Sequence, residues 1–90
     1  MKLIVKKDLE TNFGYYILLC HSENTIENTM VDKKIAEILD ISLETYINIL
    51  KQYNAYDLYY PGDCYFKTKE DAENAIKELT PYLVLATIME

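Results

Sequence analysis

Ninety residues with a formal net charge of −6, 50% hydrophobic and 27% charged, are those of one folded α+β-sized domain and exclude a disordered chain. Nine tyrosines stand beside no tryptophan, and all nine cations are lysines, so arginine is absent as well. The acidic balance opposes a nonspecific grip on nucleic acid, which needs cations at phosphates, and the missing guanidinium groups remove the usual fork for phosphate and carboxylate.

Residues 2 to 6 and 15 to 20 are aliphatic and aromatic runs separated by a polar stretch in which Asn12-Phe13-Gly14 carries turn chemistry, and they predict a β-hairpin. His21 to Asn28 is polar without period and reads as a loop. Thr29 is placed to cap a first helix with Asp32 in its first turn, and Val31, Ile35, Ile38 and Leu39 fall on one helical face. After Asp40-Ile41, Ser42 is a good N-cap for a second helix whose stripe is Leu43, Tyr46, Ile47, Leu50 and Tyr53, with Asn54 as a left-handed stop. Residues 57 to 60 and 64 to 66, joined by Pro61-Gly62-Asp63, predict a second hairpin. Thr68 caps a third helix with Asp71 at its N3 position, Ala72, Ala75, Ile76 and Leu79 form a narrow apolar stripe, and Pro81 is expected to end it. Tyr82 to Met89 then reads as a central strand covered on both sides, by a helix and by a second subunit in one arrangement, which makes a homodimer reasonable. The order is β-β-α-α-β-β-α-β across residues 1–90, a single α+β domain with an antiparallel or mixed sheet and helices packed on one face.

The spacing of Ile35-Ala36, Leu39, Ile41-Ser42, Thr45 and Ile49-Leu50 resembles the helix-turn-helix of bacterial and phage regulators. Two positions depart from it: Asp40 stands where glycine is usual, and Tyr46 where a β-branched residue is expected. The residues that would read DNA are Glu44, Thr45, Asn48, Lys51 and Gln52, a face with one cation. A helical hairpin packed on a sheet produces the same apolar spacing.

Cys20 and His21 are neighbours on or beside a strand, where successive side chains point to opposite faces, so they do not make a nucleophile and base. With Cys64 they lack the paired spacing of a zinc site, and no metal or cofactor is expected. Asp32, Glu37, Asp40 and Glu44 spread negative charge over the helical pair, a surface that could imitate a nucleic-acid backbone toward a basic groove or serve solubility alone. Glu73 and Lys77 make an ordinary mixed-charge helix face.

Tyr53, Tyr56, Tyr59 and Tyr60 cluster around Asp57, with Asp63 close behind. Alternation sends Tyr59 and Tyr60 to opposite faces, so at least one is exposed or buried by association. These six residues form the expected partner-binding surface. The same tyrosines could instead stack a nucleotide base, although the region supplies no glycine-rich loop and few cations for a phosphate.

The segments Ile41-Ser42-Leu43-Glu44, Tyr53-Asn54-Ala55, Tyr65 to Ala72 and Pro81-Tyr82-Leu83-Val84 resemble the small proteins carried by phages and prophages of low-GC Gram-positive bacteria, over about half the chain. That group includes anti-CRISPR and other anti-defence inhibitors, small acidic domains that block a host protein or nucleoprotein complex by binding it. The resemblance implies such an inhibitor and transfers no functional residue. A DNA-binding regulator and a nucleotide-signal sponge are the alternatives, and an enzyme is not expected. With no apolar run long enough for a signal peptide or membrane span, the expected location is the host bacterial cytoplasm, where Cys20 and Cys64 are reduced thiols.

Overall fold

The computed structural model describes residues 1–10, 12–20, 28–57 and 64–88, with the side chains of 87 and 88 excepted. Strand β1, Lys2–Lys7, pairs antiparallel with β2, Tyr15–Cys20, in the register Lys2 to Cys20 through Lys7 to Tyr15. Their connection depends on left-handed backbone at Asn12 (φ 60°) and on Gly14 (φ 118°). A Cβ on Gly14 would stand 2.3 Å from the carbonyl oxygen of Phe66, so the glycine is required by both its dihedral and its neighbour.

Alternation gives the ribbon two unlike faces. Leu3, Val5, Tyr15, Ile17 and Leu19 turn toward the core, while Lys2, Ile4, Lys6, Tyr16, Leu18 and Cys20 turn away from it. Helices α1 (Asp32–Leu39), α2 (Leu43–Gln52) and α3 (Lys69–Ile88) pack on one another, and α3 crosses the core face of both strands. A short second ribbon, β3 (Tyr56–Asp57) with β4 (Cys64–Tyr65), is also antiparallel. Single antiparallel bridges from Tyr15 to Phe66 and from Leu19 to Thr29 tie β2 to the rest of the chain. Tyr46, Phe66, Leu19, Ile35, Leu50 and Leu79 are the largest fully buried side chains, and truncating Phe66 to alanine would cost about 3–5 kcal/mol.

The α+β class and the first seven elements stand in the expected order. The caps agree in two places: Ser42 Oγ accepts from Thr45 N–H at 3.0 Å, and Thr68 Oγ1 accepts from Asp71 N–H at 3.2 Å. They differ at α1, whose N-cap is Val31. Thr29 Oγ1 accepts from Val31 N–H at 3.1 Å, one residue short of the helix, because the Thr29 backbone is engaged with Leu19.

The expected final strand is helix. Pro81 lies inside α3, which runs through to Ile88. The stripe Ala72, Ala75, Leu79 and Leu83 keeps helical spacing across the proline, and all four side chains are buried. Pro81 itself faces solvent, so the Lys77 carbonyl that it leaves unpaired can be hydrated. Residues 82 to 88 are apolar, but their helical phase, not strand alternation, sends Leu83 inward and leaves Val84 and Leu85 exposed.

Candidate functional site

The second ribbon is held by a chain of polar contacts. Asp32, buried at the start of α1, accepts from the backbone N–H of Cys64 at 3.0 Å. The Cys64 thiol donates to Asp57 Oδ1 at 2.9 Å, and Asp57 Oδ2 lies 3.0 Å from Lys51 Nζ on α2. The thiol's hydrogen bond and then the ammonium hold the Asp57 carboxyl below its ordinary value, and Asp57 in turn raises Lys51. Burial first, then the carboxylates of Asp57 and Asp32, push the Cys64 thiol far up. Such a thiol stays protonated and is a hydrogen-bond donor, the opposite of a nucleophile's environment. Cys20 and Cys64 are separate free thiols. Among the described residues no group of three His, Cys, Asp or Glu could hold a metal ion, and no helix is long and apolar enough to cross a membrane.

The expected partner-binding residues are only partly brought together. Tyr53 is half-buried against the core, and Tyr56 is half-buried with its hydroxyl donating to the Phe13 carbonyl. Asp57 is exposed at the ribbon's edge but tied to Cys64 and Lys51. Tyr59, Tyr60 and Asp63 lie outside the described residues, as does His21. The described members of this cluster therefore anchor the second ribbon to its neighbours.

A different aromatic group forms on the ribbon's outer face. Cys64 of β4 and Phe66 just after it turn into the main core cluster, while Tyr65 between them, also buried, turns the other way, toward Tyr16. Tyr65 meets Tyr16 edge-to-face at 5.9 Å between ring centroids, and Phe13 likewise at 5.7 Å. Beside these rings opens a cleft of about 460 Å³ lined by Lys7, Asp8, Leu9, Glu10, Tyr16, Met30 and Tyr65. Leu9, at the tip of the turn after β1, is 84% exposed, the most exposed large apolar side chain described. Sequence reading missed this site because its residues come from four separate segments. The signal that could have found it was the parity of Tyr16, whose strand sends Ile17 and Leu19 to the core.

Asp40 stands at the turn of the expected helix-turn-helix. Asp40 adopts the left-handed conformation (φ 58°, ψ 42°) that glycine usually supplies, and its N–H closes α1 on the Ala36 and Glu37 carbonyls. Glu44, Thr45, Asn48, Lys51 and Gln52 are all exposed on α2. Lys51, the one cation of that set, is engaged by Asp57.

Chemically, the cleft offers two phenol-bearing rings, a thioether and an aliphatic tip within a rim of one ammonium and two carboxylates, a surface suited to packing against another protein's side chains. The two carboxylates oppose a phosphate-bearing ligand. No protein-family model, curated protein or solved structure matches the chain.

Proposed function

We propose that this chain is a non-catalytic binding protein that obstructs another macromolecule, an inhibitor of the anti-defence type that the resemblance to small phage proteins implies, acting in the cytoplasm of the infected bacterium. The observation that carries the reading is the outer-face cleft with Leu9 projecting beside Tyr16, Tyr65 and Met30. An 84% exposed leucine next to a buried Tyr65 and half-buried Tyr16 and Met30 is the composition of an interface anchor. The charge of −6 favours a basic partner, such as a nucleic-acid-handling enzyme whose groove is cationic.

The test is phage plating on bacteria that carry a defence system, with and without this protein expressed. Wild-type chain is expected to restore plating and to capture a component of that system from lysate, and Leu9→Asp, which should fold normally, is expected to lose both. Unchanged plating on every defended strain together with no specific capture overturns the reading.

A further inference from the structure

Backbone groups on β2 are spent in a way that fixes the state of β1. Tyr15 exchanges both backbone hydrogen bonds with Phe66, and Leu19 both with Thr29, on the side of β2 away from β1. The β1–β2 ladder therefore uses the intervening positions, Lys2, Ile4 and Lys6 against Cys20, Leu18 and Tyr16, and Asp8 N–H to the Gly14 carbonyl at 2.8 Å continues it. Leu3, Val5 and Lys7 must then point their N–H and C=O groups to the other side. No strand among the described residues lies there.

Among the described residues β1 is thus a six-residue edge strand, and such an edge is a template for a further strand unless something opposes pairing. The strand holds Lys2, Lys6 and Lys7, a third of the cations in a chain of net charge −6, and no carboxylate. None of these lysines makes an ion pair among the described residues, whereas Lys51 and Lys69 each have a carboxylate partner. Lys2 and Lys6 flank Ile4 on the outer face, two residues to either side.

A second copy of the chain pairs poorly with this edge in the register centred on Ile4. Antiparallel pairing of two β1 strands about Ile4 sets Lys2 opposite Lys6 of the other copy at both ends, and like charges directly opposite one another destabilise the pair. The same lysines attract carboxylates at alternate positions of an incoming strand. We infer that the outer edge of β1 is a docking site for an extended acidic segment of a partner protein, which adds as a strand with carboxylates beside Lys2 and Lys6 and an apolar side chain beside Ile4. This rests on the reading of the chain as a binding protein but uses a different surface from the cleft. The two meet at Lys7, which belongs to both.

The experiment titrates the full-length, isotope-labelled protein with acetyl-Glu-Thr-Val-Thr-Glu-amide, which sets valine beside Ile4, and, separately, with its lysine-for-glutamate counterpart, and follows amide hydrogen exchange. The glutamate peptide is expected to slow exchange at Leu3, Val5 and Lys7 and not at Lys2, Ile4 and Lys6, which the ladder already protects. It should bind about fivefold more tightly than the lysine peptide, with the preference shrinking when salt is raised from about 50 to 300 mM. Lys2→Glu/Lys6→Glu should reverse the preference, and Lys2→Gln/Lys6→Gln should erase it, both with unchanged unfolding midpoints. Unaltered exchange at Leu3 and Val5 with the glutamate peptide, or equal response to both peptides, overturns the inference. Leu9→Asp should leave the peptide response intact, so failure at the edge and failure at the cleft are separately visible.

Discussion

Tyr46 shows how one atom can sit badly in an otherwise well-packed core. Its ring is fully buried in α2, its hydroxyl has no hydrogen-bond partner among the described residues, and burial, then the charge of Asp32, raises its ionisation well above the ordinary value of 10.0. A buried hydroxyl without a partner loses its hydration and gains nothing in return. Tyr46→Phe keeps the ring and is therefore expected to leave stability unchanged or to raise it by up to about 1 kcal/mol, whereas Tyr46→Ala should cost about 3–5 kcal/mol. Urea midpoints of the two variants check this, and a large loss in Tyr46→Phe would mean that the hydroxyl is bonded. The Asp57, Cys64 and Lys51 contacts set the pH profile. Asp57 titrates below its ordinary 3.8 in the fold, so its contribution is present above that value and is lost as pH falls through the lower folded value. Cys64 titrates above its ordinary 9.0, so its contribution is present below pH 9 and is lost as the unfolded thiol ionises at higher pH. Lys51, also raised, loses its contribution still higher, past 10.5. Stability should be flat between these limits, and Asp57→Asn should flatten the acid limb while leaving a reduced plateau. An acid limb unchanged in Asp57→Asn would place the titrating carboxylate elsewhere.

Helix α3 is where local and longer-range preferences conflict. Proline in a helix interior is worth about 3 kcal/mol less than alanine, yet burial of Leu79 and Leu83 on the same face carries the helix across Pro81. Thr80 Oγ1 donates to the Ile76 carbonyl at 2.7 Å, giving this stretch a side-chain contact where a backbone donor is missing one residue on. Pro81→Ala restores an N–H to the Lys77 carbonyl at the cost of a more flexible unfolded chain, so a net gain of about 1–2 kcal/mol is expected, read as a higher urea midpoint at constant slope. A loss would show that the proline is needed where it stands. The same conflict explains what could be read in advance. The first hairpin, the Ser42 and Thr68 caps and the left-handed Asn54 were legible because each is decided within four residues. The helical residues 82 to 88 were not, because an apolar run on every face fits strand or helix and only the phase set by Ala72, Ala75 and Leu79 decides between them. Of the candidate surface, the tyrosine cluster at residues 53 to 57 was found by composition, and its described members are half-buried Tyr53 and Tyr56 and an exposed Asp57 tied to Cys64 and Lys51. The parity of β2 separates Tyr16 from Ile17 and Leu19, but the meeting of Tyr16 with Leu9, Met30 and Tyr65 is a tertiary fact that no local pattern contains.

Charge distribution over the whole molecule bears on the choice between the proposed obstruction and DNA reading. Helix α2 presents Glu44, Thr45, Asn48, Lys51 and Gln52 to solvent after a turn through left-handed Asp40, the face that DNA reading would need. Affinity for DNA, however, begins with phosphate neutralisation, and each neutralised phosphate contributes about −0.9 to the salt slope of binding. The α2 face offers Lys51, which Asp57 holds at 3.0 Å, and the three lysines of β1 belong to the first hairpin, not to α2. With a net charge of −6 the field around the protein repels a duplex before any base can be read. Duplex DNA is therefore expected to show no mobility shift with micromolar protein even at about 50 mM salt. Asp57→Asn makes the comparison sharp, since it frees Lys51 and lowers the negative charge by one, to −5, without touching the α2 surface. If the overall field governs, this variant also leaves DNA unshifted. A shift with Asp57→Asn alone would mean that one local ion pair masks a competent reading helix, and a shift with the wild-type chain would count against the proposed binding at the cleft and favour α2.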